Sequence, residues 1–182
     1  GASPKARVTF GKWHSETQEL LKESGLNWTF VQPTYFMQNL LWQAGSVAKT
    51  GVYHDDLGGP VAWIDARDIA AVAAEALTGA GHEGKTYGLT GPEALTGVDI
   101  AEILSDVTGR SVICAPLSAE DSKATMIAGG MQGEVAAAMV ELASIAPKGH
   151  LAGIEATVSD VLGCPARRFR EFVTEHRDAF VQ

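Results

Sequence analysis

Apolar positions recur at helical spacing near the start of the chain and then condense into a short block. Trp13, Thr17, Leu20 and Leu21 share one helix face and Ser24-Gly25 supplies a terminator, so the spacing predicts an amphipathic helix over 12–23. Trp28 to Val31 follows as a compact run of β-favouring residues closed by Pro33, which predicts a strand. No charge alternates with its apolar residues, so the strand is expected to be covered on both faces, as in a parallel sheet layered by helices.

The pattern continues in alternating elements. Residues 45–59 read as loop-rich, with His54-Asp55-Asp56 as a solvated acidic stretch and Gly58-Gly59-Pro60 as punctuation, and Val61 to Ile64 reads as a second short strand. Asp65 to Asp68 can cap the stripe Ile69, Val72, Ala73, Ala76 and Leu77, which stops at Gly79. Lys85 to Leu89 is a third strand. Thr96 and Asp99 have capping-box spacing before Ile100, Ile103, Leu104 and Val107, a helix ended by Gly109. Ser111 to Ala115 is a fourth strand. The last third is helical, with one stripe at Val135, Ala138, Met139 and Leu142 and another at Phe169, Phe172, Val173 and His176. Strand and helix alternation in this order predicts an α/β fold, a partial Rossmann-type parallel sheet layered by helices, with a mostly helical C-terminal lobe. Residues 1–90 are expected to form the sheet-bearing part and 91–182 the substrate lobe, packed as one compact unit.

Composition narrows the partners. With 22 acidic against 14 basic residues the net charge is −8, so the electrostatic footprint for nucleic acid or anionic lipid is missing. No apolar run approaches the roughly 20 residues of a membrane helix and no secretory layout opens the chain, which makes the cytoplasm the expected location. Cys114 and Cys164, far apart, suit reduced thiols buried as small apolar residues. The five histidines are scattered without ligand spacing, and no metal site is expected.

Two motifs fail on context. Gly79 to Thr86 satisfies the pattern G-x-x-x-x-G-K-[ST], but a phosphate loop leaves a strand and opens a helix, whereas here a helix precedes and a strand follows. The patch Gly129-Gly130-Met131-Gln132-Gly133 lies between helical segments, and no glycine fingerprint joins a strand to a helix. A nucleophile elbow is also missing. Among titratable groups His14 stands out, beside Trp13 on the helix before the Pro33 strand, where it can face a cleft at the strand's C-terminal end. Trp63, Tyr35, Phe36 and Met126 can line an apolar pocket or simply fill core, and His176 reads as a packing residue.

The run from Trp13 to Thr29, continuing through Phe30-Val-Gln-Pro33-Thr-Tyr-Phe-Met-Gln-Asn39, resembles the NmrA-like group of atypical short-chain dehydrogenases. Trp63 to Ala70, Gly81 to Thr96, Val107 to Arg110 and Val161 to Gly163 are similar to that group's C-terminal half, in the same order. The resemblance implies a Rossmann-type fold binding NADP(H) or NAD(H), and reduction of small quinone-like or carbonyl acceptors. It implies His14 near the nicotinamide as the catalytic group, Pro33, Thr34, Tyr35 and Phe36 as the loop against the cofactor, and Asn39 and Trp63 nearer the substrate. The sequence departs from the group at Gln32, where Arg is common, and at Gln18, where an acid is usual. The group's N-terminal glycine-rich strand–loop–helix does not occur in these residues.

Other readings of the same likeness are a redox-sensing regulator that binds NAD(P) without turnover, and a cofactor-free dimer that binds a ligand or runs an isomerase or lyase reaction. A central strand without its upstream neighbours exposes an apolar edge that must be covered. A missing N-terminal segment, a second copy in a homodimer, or a rearranged strand order are the expected covers.

Overall fold

The computed structural model describes residues 2–181. Its first helix, α1 (Thr9–Glu23), ends where the Ser24 hydroxyl donates to the Leu21 carbonyl, and Gly25 then turns the chain back with φ +76°. Only a residue tolerant of the left-handed region makes that turn without strain. Strand β1 (Thr29–Pro33) leaves it and runs back along α1, with Lys22 over the Trp28 and Phe30 rings and Gln18 meeting Gln32.

Two parallel strand pairs organise the rest. β1 pairs with β3 (Lys85–Leu89), from Thr29 opposite Lys85 to Pro33 opposite Leu89, and β2 (Val52–Asp55) pairs with β4 (Ile113–Pro116). Parallel pairing demands a crossover between partners. Helix α3 (Ala66–Thr78) supplies it for β1–β3 and packs on β1, while α7 (Thr157–Leu162) returns from late in the chain onto β3. Ile64, Val72, Leu89 and Val158 bury their side chains between these elements. Helix α4 (Gly97–Thr108) spans both β2 and β4, and α8 (Phe169–Glu175) packs on α4. The larger core there joins Met37, Leu40 and Trp63 to Leu104, Phe169 and Phe172. Residues from before and after position 90 thus share one interior. The remaining helices are α2 (Ala44–Thr50) and the hairpin α5 (Ala119–Ala128) and α6 (Gly133–Ala143), and Met37–Gln43 forms a 3-10 segment.

The α/β expectation holds, and so do the elements at 12–23, 85–89 and 97–108, the last with the Thr96–Asp99 capping box in place. Gly79 to Thr86 is a helix-to-strand turn, which removes its phosphate-loop match.

Several local expectations are corrected. Residues 45–59 are not mainly loop: Ala44, Val47 and Ala48 bury one face of α2, Gly51 caps it in the left-handed region, and Val52–Asp55 forms β2. That strand exists because β4, some sixty residues on, supplies its hydrogen bonds, a partner no local pattern announces. Val61 to Ile64 is buried but is not a strand. Val61 bridges Leu95, the Ala62 amide donates to Leu151, and Ile64 bridges Phe36, so three segments share what one neighbouring strand would take. In β1 Phe30 alone is fully buried and the strand is not sealed on both faces; Trp28 lies outside it, stacked on Phe30 at 4.4 Å. The fourth strand begins at Ile113 rather than Ser111. Cys164 is exposed and Cys114 half-buried, so neither is the buried apolar residue expected.

Candidate active site

Strand β1 delivers the segment 33–36 at its C-terminal end, and backbone bonds fix that segment on both sides. The Thr34 amide donates to the Leu89 carbonyl (2.9 Å), extending the β1–β3 ladder by one rung, and the Ile64 amide donates to the Tyr35 carbonyl (2.9 Å). The Met37 amide then donates to Ile64 (2.9 Å), which closes the turn into the 3-10 segment. Such a clamp leaves side chains rather than backbone free to meet a ligand. In open parallel sheets ligands collect at the carboxyl ends of strands, and this is that end. Phe36 keeps 38% of its surface exposed there.

Behind the loop a charged network locks the 3-10 segment to α3 and α8. Asp65, fully buried, caps α3 by accepting from the Arg67 amide (2.8 Å), and takes the Arg67 guanidinium on both oxygens. Gln38 donates to the same carboxylate (3.0 Å) and accepts from the Ala66 amide (3.0 Å), while Arg67 reaches on to Glu175 at 2.7 Å. Burial acts to raise the Asp65 pKa, but the bonds from Arg67 and Gln38 outweigh it and hold the carboxyl below its ordinary range. A second tie works alike: buried Asp68 accepts from the Arg167 amide (2.8 Å) and pairs with its guanidinium.

Tyr35, Asn39 and Trp63 meet inside this frame. The Tyr35 ring packs edge-on against Trp63 at 4.8 Å, and Trp63 does the same with Phe169 at 5.5 Å. Burial drives the Tyr35 phenol far above its ordinary pKa, the nearby Asp56 charge adds to this, and the neighbouring Asn39 side chain offsets part of it. Tyr35 is therefore a neutral hydroxyl at any physiological pH. The Trp63 indole N–H is buried without a hydrogen-bond partner among the described residues. Buried donors are almost always satisfied, so an orphan asks for an explanation.

His14 stands apart from that cluster. It is exposed on α1 and makes no side-chain hydrogen bond among the described residues. Gln18, one turn later on the same helix face, meets Gln32 near the end of β1 (3.3 Å). Because α1 runs antiparallel to β1, His14 lies about 6 Å further along, toward the end where Pro33 to Phe36 emerge. The structure thus brings Tyr35, Asn39 and Trp63 together, anchors Pro33 and Thr34 on β3, leaves Phe36 exposed, and sets His14 on the neighbouring element without contact to them. Met126 lies half-buried on α5, and His176 packs on Phe172 (ring centroids 4.3 Å) with its Nδ1 2.9 Å from that residue's carbonyl.

Sequence reasoning missed Gln38, Arg67 and Glu175, whose roles depend on partners far along the chain. It also misjudged the acidic stretch. His54 and Asp55 sit in β2, Gln43 brackets the His54 backbone with a bond at each end (2.9 Å each), and Asp56 is half-buried with its Oδ2 accepting from the Ser122 hydroxyl (2.8 Å). Ser122 is itself buried, on a helix otherwise largely solvated.

Residues 7–163 match the NmrA-like family. The chain is 48% identical over 181 residues to an NAD(P)H azoreductase of Xenophilus azovorans, an alignment covering 99% of this chain and 63% of that protein. It is 32% identical to quinone oxidoreductase 2 of Escherichia coli, covering 88% of this chain and 57% of that protein. Among solved structures, the NADPH-dependent quinone oxidoreductase QOR2 of Escherichia coli complexed with NADPH superposes with a TM-score of 0.84 at 29% identity, over 95% of this chain and 62% of that one. The chain therefore spans less than two thirds of the length of these relatives.

Proposed function

The chain belongs to the NmrA-like family, and from that premise we propose that it forms the acceptor side of an NAD(P)H-dependent oxidoreductase that reduces small quinone-like or carbonyl compounds. The observation that carries this reading is the clamped loop at the C-terminal end of β1, with the exposed Phe36 ring on it and the orphaned Trp63 N–H behind it. The likeness to an NAD(P)H azoreductase over 99% of the chain supports the same chemistry.

The residues fit one end of the cofactor. Pro33, Thr34, Tyr35 and Phe36 would lie against the nicotinamide, whereas the described residues hold no strand–glycine loop–helix turn that would cradle the pyrophosphate. Bound NAD(P)H would supply hydride. What this chain adds is binding and proton placement. Asn39 and Trp63 would orient the acceptor, with the Trp63 Nε1–H offered to an acceptor oxygen, and the His14 ring would position or deliver the proton that the reduced oxygen takes up. Phe169 and Phe172 keep water from that wall of the site. Residues 1–90 would carry the cofactor-facing loop together with His14, Asn39 and Trp63, and 91–182 would form the lobe that closes the acceptor side with Phe169 and Phe172.

The test is a titration with NADPH and with NADH that follows quenching of the protein's tryptophans, and then loss of the reduced-nicotinamide absorbance on adding a naphthoquinone. Saturable quenching with quinone-dependent oxidation supports the reading. Quenching without oxidation under any acceptor would make the protein a redox sensor, and a flat titration would withdraw cofactor binding from this chain.

A further inference from the structure

A concavity lies away from the β1 loop, between the end of β2 and the α5–α6 hairpin. It is a half-open cleft of about 260 Å³, with Asp55 and Asp56 on one side, Ser122 from α5 opposite, and Leu57, Leu117 and Val140 as apolar walls. An apolar cavity of about 150 Å³ suffices for benzene, so this cleft has room for one substituted ring and little more.

Its chemistry is one-sided. No lysine, arginine or histidine is among the lining residues. The Asp55 carboxylate is committed locally, with Oδ1 accepting from the Leu57 amide (3.0 Å) and the Gly58 amide (3.1 Å). Asp56 is held differently: one oxygen takes a neutral Ser122 hydroxyl, and no cation pairs with it among the described residues. Burying a carboxylate whose donors are a neutral hydroxyl and its own backbone amide leaves part of its desolvation cost uncompensated. A cationic donor entering the cleft would offset that cost, while an anion would meet two carboxylates and no counter-charge.

We propose that this cleft is a binding subsite for a single aromatic ring bearing an amino or ammonium group, with the Asp56 carboxylate as acceptor and Leu57, Leu117 and Val140 as the walls. The cleft favours amine-bearing aromatics and rejects sulfonated or carboxylated ones.

The experiment uses no cofactor and no turnover, so its failure leaves the reductase reading intact, and failure of NAD(P)H to bind leaves this one intact. Backbone amide resonances are followed in ¹H–¹⁵N spectra while the whole chain is titrated with benzylamine, benzyl alcohol and benzoate in turn. Benzylamine is expected to shift the amides of Leu57, Gly58, Leu117 and Val140 saturably, with at least tenfold tighter binding than benzyl alcohol and no saturable shift from benzoate. Asp56→Asn should abolish the preference for the amine, and Ser122→Ala should retain it. Benzoate binding as well as benzylamine, or benzylamine shifts confined to other surfaces, overturns the proposal without recourse to any variant. An unchanged amine preference in a folded Asp56→Asn protein overturns it equally.

Discussion

Gly91 sits directly against the Trp63 carbonyl: a methyl group placed on its α-carbon would fall 1.8 Å from that oxygen. The atom it would strike is backbone, so no side-chain rotation relieves the clash, and the segment carrying Trp63 would have to move. That segment is held by Leu95, Leu151 and Tyr35 at once. Gly91→Ala is therefore expected to destabilise the fold by about 3 kcal/mol, the upper range for overpacking, which for a chain of this size lowers Tm by roughly 6–12 °C. Thermal unfolding checks it, and the near-ultraviolet circular dichroism of Trp63 should weaken before the main transition.

Asp65 concentrates several bonds in one buried carboxylate. Asp65→Ala removes the α3 cap, worth about 1 kcal/mol, and hydrogen bonds from a charged partner, worth about 1.5–3 kcal/mol. Allowing for overlap between those terms, a loss of about 2–4 kcal/mol is expected by urea unfolding. The pH dependence has a definite sign. The folded pKa lies below the unfolded value of about 3.9, so this carboxylate's contribution is complete above that pH and disappears as pH falls through the depressed value. Asp65→Asn should therefore differ from wild type at neutral pH and approach its stability in strong acid.

The sequence made visible what depends on near neighbours. The 3.6-residue stripe of α3 and the Thr96–Asp99 box are local signals, and both elements formed where they pointed. β2 was hidden because a four-residue strand with an acidic end looks like loop until β4 pairs with it. In the candidate site, resemblance pointed to His14, to Pro33, Thr34, Tyr35 and Phe36, and to Asn39 and Trp63; of these Tyr35 packs on Trp63, whereas His14 stands exposed on α1. Gln38 and Glu175 were illegible for a different reason: a glutamine and a glutamate carry no spacing signal, and only folding brings them to Asp65 and Arg67 from opposite parts of the chain.

His14 provides the sharpest test of the proposed chemistry. If its ring delivers the proton to the reduced acceptor oxygen, His14→Ala should lower kcat by roughly 10²–10⁴, the usual span for a general acid, and leave KM for the acceptor nearly unchanged. His14 is exposed and makes no side-chain hydrogen bond among the described residues, so the variant should keep its stability. Steady-state kinetics with a naphthoquinone, beside a thermal melt, separates the two effects. A kcat equal to that of wild type would remove His14 from the mechanism.

Alkaline stability should report on two tyrosines. Burial raises the pKa of both Tyr35 and Tyr53, with nearby carboxylates adding to it. The unfolded chain ionises these phenols near pH 10 and the folded chain does not, so they cost no stability below that pH and an increasing amount above it. Tyr35→Phe should therefore flatten the decline in stability between about pH 9 and 11 relative to wild type. Denaturant unfolding across that range tests it, and an unchanged slope would mean that Tyr35 ionises while folded.

The bond between Ser122 and Asp56 anchors α5 to the rest of the molecule. Ser122 is the only buried residue on that helix, its hydroxyl reaches a half-buried carboxylate at the end of β2, and the helix otherwise packs mainly on α6. Ser122→Ala removes the bond and leaves the carboxylate without its side-chain donor, at a cost of about 1–2 kcal/mol. Because α5 buries so little else, the loss should appear as local opening rather than global unfolding. Amide hydrogen exchange in α5 is expected to quicken about 5–30-fold, with rates in β1 and β3 unchanged. Acceleration of equal size throughout the molecule would show instead that α5 is part of the cooperative core.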